Sequence, residues 1–105
     1  MRSIKAALIQ RAALGNHDEN LDACAQAVHR AAAAGCELVL LPELHNGPYF
    51  CQREDPAVFD AAEPIPGPST EGLGAVAREL GVVIVGSLFE RRAPGLHHNT
   101  AVVLD

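Results

Sequence analysis

The sequence predicts an α/β fold in which two helices cover one face of a mixed four-stranded sheet. Short segments rich in aliphatic and β-branched residues alternate with segments whose apolar residues recur every three or four positions. The first two predicted strands are separated by a helix, and this crossover requires them to be parallel. The last two are separated by a short polar turn, which predicts an antiparallel hairpin.

The first crossover unit occupies the N-terminal part of the chain. A strand is predicted over residues 3–10, and a helix over residues 17–34, where apolar residues form one stripe at steps of three and four. Asn16 or Asp18 is the expected N-cap of this helix. The second strand, residues 38–41, consists of four consecutive apolar residues, which is typical of a strand buried on both faces.

The second half of the chain predicts a helix followed by two strands. Ser69 or Thr70 is expected to cap the helix, and Gly81 is expected to end it. Residues 82–88 and 98–104 read as strands, joined by a polar turn over residues 90–95. With both helices on one face, the other face of these apolar strands lacks cover. The chain is therefore expected to be the first part of a larger domain.

Glu43 is the candidate catalytic residue. It follows Pro42 directly after the apolar run 38–41, and ligands of open α/β sheets collect at the carboxyl ends of strands. A carboxylate in that place is expected to be partly desolvated, a setting that suits a proton carrier near neutral pH. The alternative is that Glu43 only caps a turn or pairs with a basic residue.

The segment after Glu43 is predicted to form a long irregular loop, because prolines recur in it as far as Pro68. Its larger apolar residues favour a loop that packs down and lines a pocket, although an ordered surface crossing without a ligand is the alternative. These residues are Tyr49, Phe50, Phe59 and Ile65. Cys51 lacks a neighbouring signal for an activated nucleophile, and His45 is expected to be a hydrogen-bonding loop residue.

Composition narrows the classes of function. The 105-residue chain has 8 basic and 13 acidic residues and a net charge of −5, which argues against nucleic acid or an anionic membrane as a partner. No apolar run reaches membrane-spanning length. Three cysteines without a CxxC spacing indicate a reducing, cytoplasmic setting. Neither a metal site nor an organic cofactor is predicted.

Several motifs together resemble the nitrilase, or carbon–nitrogen hydrolase, superfamily: LLPE, PGPST, GVVIVGSLFERR and HNTAVVLD. Within that superfamily, the blocks LPELHNGPYFCQ, AEPIPGPST and SLFERRAPGLHHNTAVVLD resemble the N-carbamoylputrescine amidases of polyamine synthesis. The resemblance extends from Ile4 to Asp105. It implies the four-layer α–β–β–α sandwich of the superfamily, with residues 1–105 as a partial carbon–nitrogen hydrolase domain.

The resemblance also implies a catalytic Glu, Lys and Cys. Glu43 matches the family's Glu, a general base that takes the thiol proton, while Tyr49 and Phe50 match a loop that lines the substrate tunnel. The family's Lys and nucleophilic Cys come after a strand that matches residues 98–104, and Cys51 does not match that nucleophile. The implied reaction of the full-length protein converts N-carbamoylputrescine to putrescine, ammonia and carbon dioxide. Residues 1–105 by themselves are expected to be inactive.

Other interpretations stay open. One is a β-ureidopropionase-like or ω-amidase-like enzyme of the same superfamily, whose substrate carries a different tail. Another is a non-catalytic α/β binding module. The expected partner is a small amide or ureide, with a cationic tail that Glu54, Asp55 and Glu63 would favour. The family resemblance further implies a homo-oligomer without a cofactor.

Overall fold

The computed structural model describes residues 1–13, 16–45 and 60–105. Six elements follow one another in these ranges: β1 (Ala6–Leu8), α1 (His17–Ala33), β2 (Leu38–Leu40), α2 (Pro68–Leu80), β3 (Val83–Ala93) and β4 (Leu96–Leu104). The strands form one sheet in the order β1–β2–β3–β4. β1, β2 and β3 are parallel, and β4 is antiparallel to β3. The predicted α/β class and mixed sheet are confirmed.

Both helices pack against the same face of the sheet. Their buried residues form one core cluster with Val39 of β2 and Ile84 of β3, which lie opposite each other in the parallel register. Since side chains alternate along a strand, the residues between them point to the opposite face. That second face, here called the open face, carries Leu8 and Val103, which are 76% and 69% exposed. None of the six elements covers it.

α1 begins and ends where the sequence indicates. Asn16, one of the two predicted caps, accepts a hydrogen bond from the Glu19 backbone N–H at 2.9 Å. At the other end, the backbone N–H of Gly35 bonds to the Ala32 carbonyl at 3.0 Å, with φ of +88° at the glycine. Neither α1 nor α2, the two helices in the described ranges, is long and apolar enough to cross a membrane.

The prediction that Ser69 or Thr70 caps α2 is wrong, because the N-cap is Gly67 and Pro68 is the first helical residue. The Thr70 hydroxyl instead accepts a hydrogen bond from the Gly67 backbone N–H at 2.9 Å. Glycine is required at the cap, since a Cβ there would lie 2.3 Å from the Pro64 carbonyl oxygen. The close approach of Pro64, three residues earlier, thus favours Gly67 as the cap over the positions that composition favours.

The hairpin of β3 and β4 is longer than predicted. Its strands continue to Ala93 and resume at Leu96, so the expected turn over residues 90–95 shrinks to Pro94 and Gly95. The register shifts between Arg91 and Ala93, which marks a β-bulge. Polar residues continue the backbone ladder beyond the apolar run, and hydropathy alone therefore places the strand end too early.

Candidate active site

β3 extends past the end of β2 and aligns the segments that follow it. β2 pairs with β3 only as far as Val85. Further along the same edge, the backbone N–H of His45 donates to the Ser87 carbonyl at 2.9 Å, and that of Glu63 donates to the Phe89 carbonyl at 3.0 Å. Successive carbonyls on one edge of β3 therefore fix where each segment lies relative to the sheet.

The structure places Glu43 just beyond the carboxyl end of β2, as predicted. Its Oε1 accepts a hydrogen bond from Asn99 Nδ2 at 2.9 Å. Asn99 lies four residues before Val103 on β4, so the alternation of side chains places both on the open face. The prediction that Glu43 is partly desolvated is wrong within the part of the chain that the structure describes. Its side chain is exposed, because nothing among them covers this part of the open face.

A chain of hydrogen bonds crosses the open face to reach Glu43. The Leu44 backbone N–H donates to Ser87 Oγ at 3.1 Å, and the Ser87 hydroxyl donates to Asn99 Oδ1 at 2.8 Å. A backbone N–H can only donate and an ionised carboxylate can only accept. The series of hydrogen bonds therefore runs in one direction, from the Leu44 N–H to the Glu43 carboxylate, and the amide N–H of Asn99 faces Glu43.

Leu44 turns the chain sharply between Glu43 and His45. Its φ of 51° lies in the left-handed region, which costs a residue with a side chain about 1–2 kcal/mol. The leucine side chain is only 1% exposed, and burying it contributes about 2 kcal/mol. The apolar burial offsets the backbone cost, and the Ser87 hydroxyl oxygen also accepts a hydrogen bond from the backbone N–H of Leu44.

His45 lies beneath the sheet, on the face covered by the helices. A Cβ added at Gly86, which alternates with Ile84 on that face, would come within 3.0 Å of the His45 ring. The imidazole is 3% exposed. Its Nδ1 accepts a hydrogen bond from the Ser87 backbone N–H at 3.2 Å. The neutral ring then carries its proton on Nε2, which has no hydrogen-bond partner among the described residues.

Burial lowers the pKa of His45 to about 4, against a smaller opposing effect of the Glu63 carboxylate. The imidazole is therefore uncharged at neutral pH. His45 is a hydrogen-bonding residue of the turn, as predicted from the sequence.

Glu63 is buried and links the first turns of the two helices. It is 5% exposed. Its carboxylate accepts hydrogen bonds from the Ser69 backbone N–H at 2.8 Å and from the Ser69 hydroxyl at 3.0 Å, and it also bonds to His17 Nε2. The expectation that Glu63 favours a cationic substrate tail is wrong, because these contacts occupy its carboxylate inside the protein.

Five loop residues named in the sequence predictions lie outside the described residues: Tyr49, Phe50, Cys51, Glu54 and Asp55. Conversely, the structure brings Ser87 and Asn99 to Glu43, and neither residue was predicted from the sequence. The signal that could have found them is a polar side chain interrupting an apolar strand at a position that faces the open side. Among the described residues, no group of three or more His, Cys, Asp or Glu side chains could hold a metal ion.

The chain is similar in sequence to known proteins. The sequence model of the family "Carbon-nitrogen hydrolase" matches residues 5–105. The chain is 34% identical to N-carbamoylputrescine amidase from Solanum lycopersicum, over 99% of this chain and 35% of that protein. It is 33% identical to omega-amidase NIT2 from Xenopus tropicalis, over 98% of this chain and 36% of that protein.

The fold of the chain is also similar to that of a solved structure. A carbon–nitrogen hydrolase from Helicobacter pylori G27 matches with a TM-score of 0.87 and 37% sequence identity, over 95% of this chain and 35% of that one. The chain thus spans about a third of the length of the proteins it matches.

Proposed function

The chain belongs to the carbon–nitrogen hydrolase family, and on that premise we propose that the protein containing it hydrolyses a non-peptide carbon–nitrogen bond of a small amide or ureide. The proposed substrate is N-carbamoylputrescine, which yields putrescine, ammonia and carbon dioxide. The observation that carries this proposal is the position of Glu43 beyond the carboxyl end of β2, with its carboxylate held on the open face by Asn99. The amidase relatives support the same class of reaction.

Residues 1–105 form, in this proposal, the N-terminal part of a larger hydrolase domain. Two observations support it: the chain covers 35% of the Solanum lycopersicum relative, and apolar residues such as Leu8 and Val103 are exposed on the open face. The family's Lys and Cys are then supplied by sequence that follows Asp105. The layers that complete the α–β–β–α sandwich come from the same part of the protein.

Glu43 acts as the general base in the proposed mechanism. A ureido carbon is a poor electrophile, so attack on it requires a thiolate and a stabilised oxyanion. Glu43 takes the thiol proton, the sulfur bonds to the carbon, and the Lys stabilises the developing negative charge on oxygen. The bond to nitrogen then breaks as Glu43 returns the proton to the departing ammonia.

A water molecule completes the cycle. It adds to the carbamoyl thioester, and its proton passes to Glu43. The carbon–sulfur bond breaks to give a carbamate, and the proton returns to the sulfur. The carbamate then decomposes to the amine and carbon dioxide. One carboxylate therefore serves both halves of the reaction, as base towards thiol and water and as acid towards ammonia and sulfur.

The tail of the substrate separates the two candidate functions. The relatives named N-carbamoylputrescine amidase and omega-amidase NIT2 are 34% and 33% identical to the chain, so an ω-amidase-like activity is the second candidate. The tail would meet the loop after Glu43, where Tyr49 and Phe50 are proposed to line the tunnel. Glu54 and Asp55 of the same loop are proposed to favour a cationic tail.

A substrate panel tests the proposal in the complete gene product. Ammonia release is followed with N-carbamoylputrescine, with a ureide that carries a carboxylate tail and with an ω-amide. We expect the highest kcat/KM with N-carbamoylputrescine, and no release by residues 1–105 alone. A preference for the ω-amide replaces the putrescine assignment with the second candidate, and a preference for the carboxylate-tailed ureide replaces it with a β-ureidopropionase-like activity. No release from any of them contradicts hydrolysis and favours a non-catalytic binding module.

We also propose that the complete protein is a cytoplasmic homo-oligomer. Cys24 and Cys36 are both buried and unpaired with each other, which suits a reducing compartment. The family resemblance supports association of like subunits. Light scattering of the purified complete protein measures the number of subunits directly.

A further inference from the structure

We propose that Asn99 is a positioning residue for Glu43, and that Ser87 fixes the direction in which the Asn99 amide points. This inference rests on the proposed role of Glu43 as a general base. Asn99 uses both ends of its amide, with Oδ1 accepting from the Ser87 hydroxyl at 2.8 Å and Nδ2 donating to Glu43 Oε1 at 2.9 Å. An amide held at both ends cannot flip without losing one of these bonds.

Ser87 anchors this amide because His45 holds both the backbone carbonyl and the backbone N–H of Ser87. Its carbonyl accepts from the His45 backbone N–H, and its N–H donates to the His45 ring. Its hydroxyl oxygen accepts from the Leu44 N–H at 3.1 Å, which directs the hydroxyl proton towards Asn99. The turn that carries Glu43 thus also orients the Ser87 hydroxyl, and through it the Asn99 amide that contacts Glu43.

The bond to Asn99 has a direct chemical consequence for a general base. An exposed glutamate samples several rotamers, whereas proton transfer requires one oxygen at hydrogen-bond distance from the donor. The Asn99 amide occupies Oε1 and leaves Oε2 available for the proton. The base is thus held with one oxygen free in a fixed direction.

Three variants of the complete protein test this role: Asn99→Ala, Asn99→Asp and, as the matched control, Thr100→Val. The control removes a comparable side-chain hydrogen bond from the next residue, since the Thr100 hydroxyl donates to Glu90 Oε1 at 2.7 Å. Alternation along β4 places Thr100 on the other face of the sheet from Asn99. The measurements are kcat, KM, the pH profile of kcat/KM, and the melting temperature.

For Asn99→Ala we expect kcat to fall roughly 10- to 100-fold with KM little changed, because a misplaced base slows the chemical step rather than binding. Asn99→Asp should also move the acid limb of kcat/KM to higher pH, by roughly one unit or more, because a second carboxylate beside Glu43 favours sharing of a proton. Thr100→Val should keep the wild-type kcat and the wild-type acid limb.

Each outcome has a definite meaning. If the wild type is active and both Asn99 variants keep its kcat and acid limb, the positioning role is overturned while the proposed function stands. If the Asn99 variants and Thr100→Val all lose kcat and all keep the wild-type acid limb, the effect is merely structural. This result also overturns the positioning role. A wild type that hydrolyses no member of the substrate panel overturns the proposed function, and this inference fails with it.

Discussion

The side-chain amide of Asn99 donates a hydrogen bond to the Glu43 carboxylate at 2.9 Å, although 56 positions separate the two residues in the chain. Glu43 follows β2 and Asn99 lies on β4, so the contact spans the intervening strand β3. Ser87 of β3 bonds to Asn99 and to the turn beside Glu43. The candidate base is therefore oriented by the sheet as a whole and not by its own loop alone.

Replacing Glu43 by Gln should remove the base while keeping the shape of the side chain. In the complete protein we expect kcat to fall by about 10²- to 10⁴-fold, because an amide cannot take the thiol proton. Steady-state ammonia release measures this loss. Glu79→Gln is the matched control, since Glu79 is exposed on α2, and it should keep the wild-type rate. A Glu43→Gln protein with wild-type kcat would show that another group is the base.

The sequence was sufficient to predict the order and pairing of the elements. Periodicity identified both helices and all four strands, and the connection lengths separated parallel from antiparallel pairs. The boundaries were less predictable where a close backbone contact or a backbone ladder sets them. The cap at Gly67 depends on the Pro64 carbonyl, and β3 continues through polar residues as far as Ala93 because β4 pairs with them.

The candidate site was predictable only in part. Glu43 stands out because it follows Pro42 at the end of an apolar strand, a local signal. Ser87 and Asn99 become neighbours only through the register that places Phe89 opposite Asn99, and a slip of one residue would turn Asn99 to the other face. Hydropathy does not specify that register, and the contact therefore needs the three-dimensional structure.

Gly86 should not tolerate even a methyl group. A Cβ there would lie 3.0 Å from His45 Cε1 and 3.2 Å from His45 Nδ1, and the ring is confined because His45 is buried. We expect Gly86→Ala to reduce the free energy of unfolding by about 1–3 kcal/mol through overpacking. Urea denaturation of the complete protein measures the change.

Gly74 provides the matched control for that substitution. It lies inside α2, and a Cβ there would meet nothing within 4 Å. Gly74→Ala should therefore raise the free energy of unfolding by about 0.5–1 kcal/mol, because alanine favours the helix. The two glycine-to-alanine changes should have opposite signs. Destabilisation by both would indicate that the His45 contact is not the cause.

Ser69 should contribute to stability through the buried carboxylate of Glu63. Ser69→Ala removes the hydroxyl that donates to Glu63 Oε2 at 3.0 Å, but keeps the backbone N–H that donates to Oε1. We expect a loss of about 1–2 kcal/mol, because hydrogen bonds to buried charged groups are stronger than average. Ser3→Ala, at an exposed position, should change the unfolding free energy little. Equal effects of the two variants would contradict a structural role for this contact.

The stability of the protein should decrease as the pH falls from about 6.5 to about 4, in part because of His45. Burial lowers the pKa of His45 from its ordinary value of 6.5 to about 4; the charges of His17 and Arg11 act in the same direction, and Glu63 opposes them. The unfolded chain therefore binds this proton at a higher pH than the folded chain. The stabilisation by neutral His45 is complete above pH 6.5 and is lost as the pH falls towards 4, by about 3 kcal/mol in total.

Urea denaturation of the complete protein at several pH values measures this loss, and two substitutions isolate the contribution of His45. His45→Gln removes the titrating ring, so its unfolding free energy should fall less steeply between pH 6.5 and 4 than that of the wild type. His29→Gln, at an exposed position of α1, is the matched control and should keep the wild-type slope. Equal slopes for the wild type and His45→Gln would contradict a neutral, buried His45.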